Sequence, residues 1–402
     1  MYKKENKFFS SLNGIQLLLT LLLMSIFLIP QQIREGILGG KIGGLNYIAT
    51  LILFLILFRY IRMFDLKYVV FLYIFNIYLL ISLLFFENKL MEIIIVLLSF
   101  SLPLIIIGLK IRDTSLKVIF RIFLSYFNII ILIITILGII DFLTNYKILL
   151  SISKILPARI EELINLQKST SLYRLFSIYG HPLFNSQLYL MYLILNYIGT
   201  VYFEFRTKKY FFYILTTIGI ALTASKTGLI LLIIALLGFS SRKKWIRNYF
   251  ILGLMTLIVW ISGIFNSTIL RLTSGNLTTG REDMWSKVEQ YNMFPIKIFT
   301  GYGRSFALEY NNYIAKASAA FEYPYRMFAL EMGIFFTIIL YCFIFVYPVL
   351  LLIKRKHYNL LFCYLIIFID VNTYNGLSSR GDYMLIFSVF TFLILNVSLH
   401  KK

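Results

Sequence analysis

The sequence predicts an all-α polytopic membrane protein of about twelve transmembrane helices, with one large outer loop between the ninth and tenth. Three observations carry that expectation. The 402 residues are 59% hydrophobic and only 14% charged, with a mean hydropathy of +0.82, whereas soluble domains are about half apolar and about a quarter charged. The apolar residues fall in long runs, matching the roughly 20 residues that a helix needs to cross a bilayer. Basic residues collect in alternate connecting segments, the asymmetry that orients a membrane protein.

Spans are expected near residues 12–30, 45–61, 68–86, 91–109, 118–140, 182–203, 210–222, 227–240, 246–265, 327–353, 358–370 and 383–399. Lys3, Lys4 and Lys7 precede the first, and no small-residue cleavage site follows it, so it reads as an uncleaved span. Arg59, Arg62 and Lys67 separate the second from the third, and Lys110, Arg112, Lys117 and Arg121 mark the turn into the fifth. Arg206, Lys208 and Lys209 follow the sixth, Arg242, Lys243, Lys244 and Arg247 the eighth, and Lys354, Arg355 and Lys356 the tenth. Lys401 and Lys402 close the chain. The seventh, eighth and eleventh spans are short for a full crossing and read as tilted, broken or partly re-entrant.

These inner segments hold more than half of the 39 basic residues. Their acids are Glu5, Asp65, Asp113 and Glu204. Both termini are therefore expected in the cytoplasm, and the net charge of +21 records topology rather than a nucleic-acid surface. No nucleic-acid partner is expected; the bilayer is the partner. Cys342 and Cys363 fall inside expected spans as packing residues, and three histidines without a His/Cys cluster give no metal site.

Two outer segments are long. Residues 141–181 include Leu149 to Gln167, where Ile152, Ile155, Leu156, Ile160, Leu163, Ile164 and Leu166 recur at the spacing of an amphipathic surface helix, with Pro157 interrupting it or starting its second half. Residues 266–326 form the large outer loop. With no repeat, low-complexity tract or linker, 1–402 reads as a single transmembrane domain.

Four outward clusters carry candidate chemistry. Arg174, Gly180, His181 and Pro182 precede span six. Thr223, Ser225, Lys226, Thr227 and Gly228 form a turn between two short spans. Gly280, Arg281, Glu282, Asp283 and Trp285 begin a polar stretch that continues to Gly301, Tyr302, Gly303 and Arg304. Glu322 and Arg326 lead to Glu331 and Gly333 at span ten. Guanidinium forks bind phosphate bidentately and keep their charge when partly desolvated. Glycines at 280, 301 and 303 let backbone approach closely or take positive φ. Arg174 and Arg326 also flank spans, where an ordinary headgroup anchor is the competing reading. Asp370 and Arg380 border the last outer loop as a candidate salt bridge or acceptor contact.

The order and spacing of these motifs resemble the O-antigen ligase and Wzy-type polysaccharide polymerase superfamily, over roughly residues 174–333. The resemblance implies an all-helical fold related to the GT-C glycosyltransferases, working at the outer face of the bacterial cytoplasmic membrane. It implies a glycosyltransferase that takes an oligosaccharide from a polyprenyl diphosphate carrier to an acceptor hydroxyl, without a nucleotide sugar or a metal cofactor. Arg174, Lys226, Arg281 and Arg304 would hold diphosphate, with Arg281 also catalytic. His181, Trp285, Tyr302 and Arg326 would touch glycan. Ligase members carry a His at the position aligned with Glu322; here a carboxylate stands in for it. That departure favours a polymerase, with Glu322 as base and Glu282, Asp283 and Glu309 as rivals, and brings in a chain-length regulator as a protein partner. The alternatives are a ligase that transfers finished glycan and, in another class, a flippase for lipid-linked oligosaccharide.

Overall fold

The computed structural model describes residues 12–86, 90–170, 172–205, 209–239, 253, 261, 263–273, 280–379 and 381–400. Most of the ninth expected span, and Arg380, lie outside the described residues. Among the described residues all regular secondary structure is helical, apart from one isolated bridge between Phe64 and Leu109.

The first span is α1, Gly14–Leu28, capped by Asn13, whose side chain accepts from Gln16 N. At Pro30 the chain bends by 71° into α2, Gln31–Leu38. The sequence reading treated this stretch as connecting loop. Then come α3, Tyr47–Arg59, and α4, Leu66–Phe86. The fourth span is α5, Leu90–Gly108, which contains a π-turn at Leu97–Ser101 just before Pro103, where the missing N–H disturbs the ladder. The fifth, α6, runs from Asp113 to Leu143, 31 residues or about 46 Å, longer than the 118–140 expected.

The outer segment that follows forms α7, Lys147–Ser153, and α8, Ala158–Ser169, with Pro157 at the cap of the second. Ile160 and Ile164 of α8 are buried while Leu163 and Leu166 are exposed, so the helix has an inward and an outward apolar edge. Next are α9, Pro182–Tyr202, α10, Lys209–Thr223, and α11, Lys226–Gly238. After α12, Asn266–Thr273, the outer loop contains α13, Arg281–Tyr291, and ends in α14, Pro324–Met332. The last helices are α15, Ile334–Lys354, α16, Tyr358–Asn372, and α17, Tyr383–His400.

The expected tenth span, 327–353, is therefore two helices. Gly333 has φ +97, a conformation outside any L-residue helix. The amides that follow it leave the helical ladder, Ile334 N bonding to Lys297 O at 3.0 Å and Phe335 N to Ile298 O at 2.9 Å.

α4, α5, α6 and α15 are long and apolar enough to cross a membrane, and α1 with α2 passes the same test as a bent pair. α3, α10, α11, α16 and α17 are apolar but shorter. α9 is different. Nearly every side chain from Pro182 to Gly199 is buried, including Asn185, Ser186, Gln187 and Asn196. It is the central post of the bundle, and its Asn185, Gln187 and Asn196 side chains find protein partners. The outward faces of α3, α4 and α15 expose Leu51, Phe58, Phe71, Phe85 and Ile338, the surface of a membrane-embedded protein. Cys342 and Cys363 are free thiols, Cys363 fully buried.

The expected inner and outer segments separate to the two ends of the bundle. At one end Lys110 pairs with Asp65 at 2.8 Å, Ile111 N bonds to Asn396, Arg355 holds Ser398, and Arg121 lies over Phe205. At the other, Arg34 forks onto both oxygens of Asp382 at 2.8 Å and also donates to the carbonyls of Ile29 and Gly43. That pair, buried on both sides, locks the α1–α2 bend to the start of α17.

Asp382→Ala strands the Arg34 guanidinium, at an expected cost of about 3–5 kcal/mol. The apparent Tm of the detergent-solubilised protein should fall accordingly. Replacing both partners together, Arg34→Met with Asp382→Leu, should recover most of the loss.

Candidate functional site

Four separate stretches of sequence converge at the end of the bundle that carries Arg34 and Asp382. The loop holding Arg174 is fixed by its backbone. Arg174 N donates to Tyr146 Oη at 2.7 Å, and Leu175 N to Leu222 O at 2.9 Å. Asn185, on the first turns of α9, donates to the carbonyls of Leu175 and Phe176 and accepts from Ser177 Oγ. Arg174 is thus presented on a loop with little backbone freedom, and its Nε reaches Thr223 O at 3.4 Å.

The 223–228 turn supplies the next wall. Ser225 caps α11 by accepting from Gly228 N at 3.0 Å, and Lys226 is buried in the first turn. Arg271, on α12, donates to Ala224 O at 2.7 Å and lies close enough to Lys226 for their charges to interact.

Arg281 is the first residue of α13, released by Gly280 at φ +81. Its guanidinium has two strong partners. Nε and Nη2 meet Glu322 Oε2 at 2.5 Å, and Nη1 donates to Thr373 O, at the end of α16, at 2.8 Å. The Tyr323 ring lies 5.6 Å from it. His181 caps α9 and stacks on Tyr374 with centroids 6.1 Å apart. Tyr374 in turn donates its hydroxyl to Gln187 of α9.

The electrostatics show these groups acting on one another. Burial, then the charge of Arg271, push Arg174 down to about 9, with Glu322 opposing and Arg281 adding to the shift. Burial and the charge of Arg281 lower Arg271 as well. Burial, then Arg174, Arg281 and Arg159, push His181 down to about 3, so it is neutral at physiological pH. Cations held together and out of water bind an anion with several charges favourably, because each guanidinium regains a counter-charge.

Of the residues singled out from sequence, Arg174, His181, Lys226, Arg281 and Glu322 come together here. Arg304 lies elsewhere, its Nη1 on Glu92 at 2.5 Å. Trp285 and Arg326 contact each other, the guanidinium 4.3 Å from the ring centroid, with Glu282 on Arg326 Nη2 at 2.9 Å and Phe321 edge-on to the indole. Tyr302 donates to Pro295 O, stacks on Phe306 and lies under Lys297. The glycines between them serve the protein's own backbone. A Cβ at Gly301 would meet the Glu331 carbonyl at 2.0 Å, while Gly303, at φ +98, donates to Glu331 O. This seam docks the outer loop on the Gly333 break.

Arg271, Asn185, Gln187 and Thr373 were not found from sequence. Asn185 and Gln187 had a signal, since an amide inside an apolar span is costly unless it has a job. Arg271 had none beyond its charge. Asp370 is buried near the end of α16, and its Oδ2 has no hydrogen-bond partner among the described residues.

No protein-family model, curated protein or solved structure matches the chain. The reading of this site therefore rests on its geometry and chemistry.

His181 gives a pH prediction. Its folded value lies far below the roughly 6.5 of an unfolded His, so the stability it contributes is full above pH 6.5 and is lost as pH falls toward 3. Tm measured from pH 7 to pH 4 should decline more steeply in the wild type than in His181→Gln. Parallel curves would place the imidazole in a water-exposed setting.

Proposed function

We propose that this protein is a polysaccharide polymerase that joins polyprenyl-diphosphate-linked oligosaccharide units at the outer face of the bacterial cytoplasmic membrane. On this reading the bundle has about twelve spans in a GT-C-like arrangement, both termini lie in the cytoplasm, and the product is a capsule or O-antigen type glycan. A chain-length regulator is the expected protein partner.

The observation that carries the reading is the clustering of Arg174, Arg271 and Arg281 at the same end of the bundle, with Glu322 bonded to Arg281 and within reach of the Arg174 charge. A diphosphate leaving group gains negative charge as the anomeric C–O bond breaks. Guanidiniums already desolvated and fixed in place stabilise that charge without reorganising. The acceptor hydroxyl oxygen forms the new bond to the anomeric carbon, the bonding pair of the old C–O bond leaves with the carrier diphosphate, and the hydroxyl proton passes to a carboxylate. Glu322 is the acid nearest the cations and also lines a pocket of about 170 Å³ beside Ser305 and Met327, room for the acceptor to reach it. His181, held neutral, adds no charge to the site.

The deciding experiment is the glycan profile of a strain lacking the gene, resolved by chain length. Single units on the outer leaflet that never lengthen are expected. Full-length chains stranded on the carrier would mean a ligase, and single units trapped on the inner leaflet a flippase. Arg281→Lys keeps the charge but loses the fork, and should lower turnover about 10²-fold or more. Glu322→Gln should lower turnover far more than it raises KM. Wild-type turnover in either variant at normal membrane abundance would reject the role given to that residue.

A further inference from the structure

The arginine cluster holds its own counter-ion. The Nε and Nη2 atoms of Arg281 both donate to Glu322 Oε2 at 2.5 Å, which fills the paired-donor edge that a phosphate would use. Nη1 is held by Thr373 O at 2.8 Å. An anion therefore reaches this edge of the guanidinium only by exchanging with the carboxylate. The pair is lopsided, and that fixes which partner moves. The Arg281 side chain is 13% exposed and tied to the end of α16, whereas the Glu322 side chain is 46% exposed. Arg281 is the one hydrogen-bond partner of that carboxylate among the described residues. Glu322 also lines the pocket of about 170 Å³, so on release it has room to turn away from a guanidinium that stays in place.

The same carboxylate is felt by the neighbouring cations. Its field reaches Arg174 and opposes the push of Arg271 and Arg281 on that side chain. Exchange for an anion of equal charge gains little Coulomb energy and gives up a bond already made. Exchange for a dianion sets more negative charge before the guanidiniums, and the gain is greater where Arg174 and Arg271 are partly withdrawn from water. The phosphodiester headgroups of bulk phospholipid carry a single negative charge. A diphosphate that links a sugar to a lipid carries two.

We propose that Glu322 is a displaceable counter-ion that sets a charge threshold on the site: a diphosphate displaces it from Arg281, and a phosphodiester does not. The site thereby selects a dianionic donor among monoanionic headgroups. The identity of the donor rests on the polymerase reading, while the exchange rests on the geometry of the Arg281–Glu322 pair. Displacement also frees the carboxylate. Its Oε2 is engaged by two N–H groups in the pair, and after exchange it is open to an acceptor hydroxyl. Glu322 is then a specificity-determining residue while the donor binds and a base once it has bound.

The test uses the full-length protein in phosphatidylcholine nanodiscs, with inorganic pyrophosphate and dimethyl phosphate as probes and calorimetry as the readout. The wild type should bind pyrophosphate and not dimethyl phosphate. Glu322→Gln keeps the size of the side chain and an acceptor oxygen but removes the charge. It should lower the pyrophosphate Kd about three- to tenfold and make dimethyl phosphate binding measurable. Unchanged or weaker pyrophosphate binding in this variant overturns the proposal, as does a wild type that binds both probes equally. A second readout needs no variant. Amide hydrogen exchange in the turn at residues 319–323, closed by Glu322 N on Ala319 O, should quicken with saturating pyrophosphate and stay the same with dimethyl phosphate. Slower or unchanged exchange with pyrophosphate overturns the displacement. Pyrophosphate binding that Arg281→Lys weakens and Glu322→Gln leaves alone removes the counter-ion role and keeps the diphosphate site, whereas no pyrophosphate binding in the wild type removes both.

Discussion

The arginine-rich end of this bundle depends on one guanidinium. Arg281 begins a helix of the outer loop, grips Glu322 forty-one residues later in the same loop, and reaches into the bundle to the Thr373 carbonyl at the end of α16. Besides that fork, the loop is tied to the bundle by Arg304 on Glu92 and by the seam of Gly301 and Gly303 on Glu331. Through the fork, α13, the Glu322 turn and the end of α16 share one hydrogen-bonded centre. The charge that makes the fork strong also raises the local potential felt by Arg174 and Arg271. Assembly of the loop and accumulation of positive charge are therefore one event, and the cost of the second is met by the packing and hydrogen bonds of the first.

That cost explains the scaffolding around Arg174. A desolvated arginine beside two others would swing toward water if its loop allowed it. Its backbone is pinned by Tyr146 on one side and by Leu222 on the other, and Asn185 holds the next two carbonyls. The polar residues of α9 are the supports of a strained charge arrangement, placed on the most buried helix of the bundle, where they move least.

Much of this was legible in the sequence, for identifiable reasons. Apolar runs and the clustering of lysines and arginines locate helices whatever their packing, so the expected spans 45–61, 68–86 and 383–399 fall on α3, α4 and α17 within a few residues. The motif residues Arg174 and Arg281 stand out because basic charge at the outer side runs against the positive-inside bias. Other features were hidden. α2 is only eight residues with mixed polarity, too short for its period to declare itself. Gly333 looks like any glycine within an apolar run until the amides after it are seen bonding to Lys297 and Ile298. Arg304 follows Gly301 and Gly303 as a phosphate-binding motif would, yet its neighbour in space is Glu92 from the fourth span, a pairing that no local spacing reveals.

The buried pair of Arg34 and Asp382 ties the first helices of the chain to the last. A pair so enclosed gains little over apolar packing of the same volume, so its value lies in where it fixes the chain. It sets α2 against the start of α17, and a Cβ at Gly381 would meet Gln31 Oε1 at 1.7 Å, so the two walls already touch. Those walls carry Gln31, Gln32 and Glu35 on one side and Gly381 and Tyr383 on the other. The cleft between them is therefore as rigid as the ion pair beneath it. The arginine cluster, by contrast, is built across a loop and is as rigid as the Arg281 fork.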